Sequence, residues 1–197
     1  MRNFIYLIAV IVCAGVFSCT KSADEYVVSG TTSQSRLNGQ KVYLVPYGSP
    51  QIEDSLGVDS AVIENGRFEF RGNKGEFLAR ITLDRRVRFG TQDLLIVTEP
   101  GTINVVIDSI SKGGGTPQND ALQTWKDLKE DHDKVQWNQS QHIKYLRHEG
   151  DTVYANSLAD SLKNFNATYR TRIHDLMRTL SAGTAYNLLR QFYGDPE

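Results

Sequence analysis

The hydrophobic pattern of this chain changes period once, at Gly113-Gly114-Gly115. Before that point apolar residues alternate; after it they recur every three or four residues. Alternation is the period of a half-buried strand, and three-to-four is the period of a helix packed on one side. The fold class that follows is α+β: an N-terminal antiparallel β-sandwich or open barrel over residues 25–112, then an α-helical hairpin within 113–197. The triglycine reads as a flexible joint between the halves.

The strands are bounded by turn residues. Lys41 to Val45 is β-branched and aromatic and is stopped by Pro46 and Gly48. Asn65-Gly66 predicts a type I′ hairpin, because both central residues need positive φ. Val58 to Glu64 leads in and Arg67-Phe68-Glu69-Phe70-Arg71 leads out, with Phe68 and Phe70 on one face. Phe77 to Leu83, Val87-Arg88-Phe89, Leu94 to Val97 and Ile103 to Ile107 read as further strands, with Pro100-Gly101 a turn between the last two.

In the second half, Thr116-Pro117 has the form of an N-cap followed by Pro at the first helical position. Leu122, Trp125, Leu128, His132 and Val135 mark the apolar face of a first helix. Leu158, Leu162, Phe165, Tyr169, Ile173, Leu176 and Leu180 mark a second, predicted to end at Gly183. Ala185, Leu188, Leu189 and Phe192 suggest a short third helix. Trp137, Tyr145 and Tyr154 fall around the helix connection; exposed, they would stack on sugars or partner chains, but the leading expectation is a connection that packs onto the sandwich and covers them.

The chain begins with Arg2 and an apolar run from Phe4 to Phe17. The run is shorter than the ~20 residues a membrane-spanning helix needs and has the layout of a secretory signal. Val16-Phe17-Ser18-Cys19 resembles the lipobox of bacterial lipoproteins. The resemblance implies a signal peptide over 1–18, lipidation of Cys19 and a tether over 19–24. It implies membrane attachment through that lipid, since two or more acyl chains hold a protein firmly. Thr20 behind the cysteine favours the outer membrane, with the protein on its periplasmic face or at the cell surface.

The sequence holds two cysteines, Cys13 and Cys19. One lies in the signal and the other is the lipidation site, so the mature body is expected to form no disulfide and exchange none. The formal net charge is −1. With no block of like charge, nucleic acid is not an expected partner.

One longer resemblance covers about residues 26–125. It rests on Gly39-Gln40-Lys41-Val42-Tyr43-Leu44, Asp59-Ser60-Ala61-Val62, Asn65 to Gly72, Glu99-Pro100-Gly101-Thr102-Ile103 and Gly115-Thr116-Pro117-Gln118-Asn119. In that order they resemble an uncharacterised domain found ahead of thioredoxin-like domains in lipidated or secreted proteins of Gram-negative anaerobes. In those proteins a Cys-x-x-Cys thioredoxin fold follows. No such motif stands here, so the resemblance lends no redox activity.

Other chemistry finds little support. The phosphate-loop spacing is absent around Gly113-Gly114-Gly115-Thr116, and no Gly-x-Ser-x-Gly elbow occurs. Asp131-His132-Asp133, His142 and His148 have no metal-ligand spacing, and His132 falls on the apolar stripe. Arg80, Arg86 and Arg88 are candidates for contact with an anion or glycan, against the plainer role of a solvated or guarded sheet edge. Asp-Ser/Thr-apolar triplets at Asp54, Asp59, Asp108, Asp151 and Asp160 resemble an O-glycosylation motif.

No catalytic residue, cofactor site or metal site is expected. The chain reads as a non-enzymatic, lipid-anchored envelope protein that binds a partner protein or glycan. Two alternatives follow from the resemblance: an accessory domain docking a separate thioredoxin-like oxidoreductase, or a truncated relic of such a fused enzyme.

Overall fold

A computed structural model of the chain describes residues 24–48, 58–73 and 75–196. The proposed signal, Cys13, Cys19 and the Asp54 triplet lie outside the described residues. Eight strands are described: β1 Tyr26–Thr31, β2 Lys41–Pro46, β3 Asp59–Val62, β4 Arg67–Gly72, β5 Leu78–Leu83, β6 Leu94–Val97, β7 Gly101–Val106 and β8 Lys112–Gly114. Three helices follow: α1 Pro117–His148, α2 Thr152–Leu180 and α3 Thr184–Tyr193.

The strands form two four-stranded sheets, β4-β1-β7-β8 and β3-β2-β5-β6. Their inner faces share one apolar core. Tyr26, Val28, Phe68, Phe70, Ile103 and Val105 come from the first sheet; Val42, Leu44, Ala79, Ile81, Leu83, Leu94 and Ile96 come from the second. This is a sandwich, not a closed barrel. It is also not purely antiparallel, since β1 and β7 pair in parallel, from Tyr26 opposite Gly101 to Thr31 opposite Val106.

The Asn65-Gly66 turn has the expected chemistry but joins different partners. Both residues have positive φ, 50° and 73°, and Glu64 and Arg67 exchange both backbone bonds at 2.8 and 2.9 Å. The ladder goes no further. β3 pairs with β2, and β4 pairs with β1. The turn is therefore a corner between the sheets, and the splay of its arms sends Phe68 and Phe70 into the core from one side.

Phe68 also explains Gly30. Its ring lies over the glycine so closely that a Cβ there would sit 2.1 Å from a ring carbon. Gly30→Val is expected to cost roughly 1–3 kcal/mol through overpacking. Denaturant unfolding checks this, and Gly30→Val, Phe68→Ala should recover part of the loss.

Three sequence expectations are corrected here. Gly113-Gly114-Gly115 is not a free joint. Lys112 to Gly114 pair with Val106 to Asn104, so the sheet continues past residue 112. Val87-Arg88-Phe89 is a turn, because the Val87 and Arg88 N–H groups both donate to Asp84 O. Gly183 does not terminate α2. Ser181 takes the left-handed position at φ 53° and donates to Met177 O, while Gly183 sits at the N-cap of α3.

Candidate functional site

The register of the strands gives the molecule two poles. At one, β1 begins at Tyr26 beside Gly72 and Gly101. At the other, β1 ends at Thr31 beside Arg67 and Val106. The helices enter at the Tyr26 pole and leave past the Thr31 pole.

The start of α1 is held at the Tyr26 pole by a buried polar knot. The Thr116 side chain does not cap the helix. Instead Glu99 Oε1 accepts the backbone N–H of Gln118 at 2.8 Å and of Asn119 at 3.2 Å. A carboxylate on the first amides of a helix satisfies orphan donors and meets the positive end of the dipole. The anion at this helix N-terminus is therefore the protein's own glutamate. Asn119 behaves like one residue of an added strand on edge strand β6. Its Oδ1 accepts from Val97 N at 2.9 Å and its Nδ2 donates to Val97 O at 2.8 Å. The edges of β6 and β8 are thus covered by α1, the usual protection of a sheet margin.

A second carboxylate does the same for α3. Glu76 Oε1 accepts from Thr184 N at 2.7 Å and Thr184 Oγ1 at 2.6 Å. Burial raises its pKa, but the bonds from Thr184, backed by Gln118, outweigh burial and hold it below the ordinary value of 4.5. A lowered carboxylate pKa contributes stability above the unfolded value, lost as pH falls through the folded one. Amide exchange at Thr184 is therefore expected to accelerate as pH drops below 4.5, relative to its intrinsic rate, and to lose that pH dependence in Glu76→Gln.

At the Thr31 pole the β5–β6 loop is a built feature. Arg36 donates from Nη1 to Val87 O at 2.7 Å and from Nη2 to Phe89 O. Gln34 Nε2 donates to Gly90 O at 3.1 Å. Val87 packs on the sandwich core, while Phe89 is 90% exposed. Arg80 and Arg88 converge on Asp93, at 3.8 and 3.6 Å. Arg86 does not join them: it is exposed, and its backbone N–H bonds the Asp84 carboxylate. Of the three arginines singled out in the sequence, two meet at one place.

Residues that the sequence reading missed complete this region. A cleft of about 470 Å³ is lined by Arg85, Arg88, Phe89, Thr91, Gln92 and Asp93. Gln92 and Asp93 also line a cavity of about 270 Å³ between β6 and α1, where Trp125, Lys126 and Lys129 stand on the helix wall. Lys126 pairs with Glu130 at 2.8 Å. Bonds from Lys126 and Gln92 keep the Glu130 carboxyl below its usual range, and the bond from Lys129 does the same for Asp133. The run Arg85-Arg86-Val87-Arg88-Phe89 was the available signal for the loop. Nothing local marks Lys126 and Lys129 as its neighbours.

Beyond Glu130, which receives a bond from Gln92 Nε2 at 3.2 Å, α1 leaves the sandwich. Its remaining eighteen residues to His148 project roughly 27 Å and pair with α2. His132 stacks on Tyr169 and Phe165, with centroids 4.0 and 5.4 Å away, and bonds Asn166 at 2.9 Å. It is a packing histidine. Ile143, Leu146 and Ala155 form a small core near the tip. Because the connection extends away from the sandwich, the expectation that it covers the aromatics fails. Trp137 is 67%, Tyr145 60% and Tyr154 51% exposed.

Among the described residues no group of three or more His, Cys, Asp or Glu side chains is placed to hold a metal, and no helix is long and apolar enough to cross a membrane. Ser60, Ser109, Thr152 and Ser161 of the described Asp-Ser/Thr triplets are all exposed.

Neither a curated protein nor a solved structure matches the chain. Residues 26–122 match the family model described as Domain of unknown function (DUF4369). The match runs from the first residue of β1 to Leu122, past the sandwich and into the first turns of α1, so it takes in both sides of the Glu99–Asn119 knot. Residues 26–122 of this chain are thereby similar to that uncharacterised domain, and the matched stretch includes the first turns of α1.

Proposed function

We propose that this protein is a non-enzymatic binding protein of the bacterial envelope, lipid-anchored through Cys19, that holds a partner protein or glycan away from its membrane. The observation that carries this reading is its polarity. The chain leading from Cys19 enters the fold at the Tyr26 pole. The helical arm, the Arg85–Phe89 loop and the cleft beside it all stand at or beyond the opposite pole. Trp137, Tyr145 and Tyr154, three large aromatics exposed on one arm, are of the kind enriched at binding surfaces. The lipobox-like Val16-Phe17-Ser18-Cys19 supplies the anchor in this reading, and the outer membrane is the site favoured by Thr20.

Two measurements test it. Cys19→Ala is expected to abolish lipid-dependent processing and move the protein out of the membrane fraction; unchanged fractionation defeats the anchor. A photo-crosslinking residue at Trp137, irradiated in the native envelope, is expected to yield a discrete adduct that is absent when the same residue replaces Arg67. Identical adduct patterns at both positions would sink the arm as the binding surface.

A further inference from the structure

We infer that the cleft formed by the β5–β6 loop binds an acidic saccharide chain, with Arg85 and Arg88 pairing its carboxylates and Phe89 lying against a sugar ring. The assignment rests on the binding role proposed above and names the ligand class for one of its surfaces.

Three features of the cleft point to this chemistry. The first is the placement of Phe89. An apolar ring that is 90% exposed contributes little to folding, yet the backbone that carries it is fixed. Arg36 bonds the carbonyls of Val87 and Phe89, and Thr91 N donates to Arg88 O at 2.9 Å. The ring is held out with its faces free. The C–H face of a pyranose is flat and weakly apolar and stacks on such a ring without a preformed pocket.

The second is charge. Asp93, the acid among the residues that line the cleft, is shared by Arg80 and Arg88. Arg85 lines the cleft, and among the described residues no ion pair forms on it. The walls thus keep an excess of guanidinium donors, whose planar fork matches a carboxylate in two parallel bonds. At about 470 Å³ the cleft falls within the ~300–1,000 Å³ range of ligand sites.

The third separates saccharide from acidic peptide. Peptides in extended form bind chiefly by adding a strand to an open sheet edge. No such edge borders this cleft. β5 lies inside its sheet between β2 and β6, and every residue that lines the cleft falls in the loop between Leu83 and Leu94, outside the strands. Recognition here falls to side chains, which suits a chain of rings bearing acids.

The test uses the full-length protein purified in detergent and titrated calorimetrically with polygalacturonate, alginate fragments, dextran and poly-glutamate. Binding of at least one uronate polymer is expected, with none of dextran. Arg85→Glu and Phe89→Ala should each weaken uronate binding about tenfold, with thermal stability unchanged, because both side chains are exposed. Failure to bind either uronate overturns the inference. So does equal affinity for poly-glutamate with no effect of Phe89→Ala, which would describe a diffuse cationic patch serving acidic peptides. Crosslinking from Trp137 is unaffected by either outcome, so the cleft can fail while the binding role stands.

Discussion

Ile173→Asp is expected to destabilise the protein by about 4–5 kcal/mol, far more than the same change at Phe165. Ile173 is fully buried with Met177 and Leu189, and Trp125, Leu128, Tyr169 and Tyr193 close around them. Removing the side chain alone costs roughly 2–5 kcal/mol by loss of burial and cavity formation. A carboxylate in that place must also be desolvated or protonated. Against a total stability of about 5–15 kcal/mol, the melting temperature should fall by roughly 10–20 °C. Phe165 belongs to the same stripe but lies on the arm, half-buried and stacked on His132. Phe165→Asp should cost only about 1–2 kcal/mol. Equal effects in parallel thermal melts would show that the arm is as well packed as the base, contrary to the structure.

The second large effect is expected at Glu99. This carboxylate, 8% exposed, accepts the Gln118 and Asn119 amides and approaches both of their side-chain nitrogens at 3.4 Å. Glu99→Ala leaves buried helix N–H groups without acceptors. Each unsatisfied buried donor costs about 1–3 kcal/mol, so a loss of roughly 3 kcal/mol is expected in guanidinium unfolding. The same bonds tie the sandwich to the helices. The wild type should therefore unfold in one transition. In Glu99→Ala the near-ultraviolet signal of Trp125, at the base of α1, should be lost before the far-ultraviolet signal of the sandwich. A single unchanged midpoint by both probes would refute this coupling.

Much of the secondary structure was legible because it is local. The period of Leu158 to Leu180 specifies a helix whatever lies beside it, and Asn65-Gly66 specifies positive φ at both turn positions. The same stripe did not reveal its depth. Along this face the large side chains of α2 are fully buried where α3 supplies a third helix, at Ile173 and Met177. Where two helices stand alone, Leu158 to Phe165 stay half-exposed. Glycine was the most misleading residue. Gly113 and Gly114 offer a free joint by composition, but their backbone groups find β7, and Leu94 of β6 and Asp120 of α1 then leave little room above them.

The proposed binding surface shows the same division. Arg80 and Arg88 could be named from sequence, with Arg86, as arginines spaced to share one face. Asp93, which both arginines meet, and Lys126 and Lys129 on the α1 wall of the adjoining cavity could not, because their proximity depends on tertiary packing, for the lysines on α1 crossing the β6 margin. The sequence alone determined an α+β chain, its helical periods, its tight turn and the leading segment read as an address, each a property of residues close together along the chain. The tertiary structure decided which strands share a sheet, that Glu99 caps a helix eighteen residues further on, and that the arm and cleft stand opposite the pole where β1 begins. Those depend on long-range pairing of groups whose local patterns fit several partners equally well, and only packing the two sheets and α1 together selects among them.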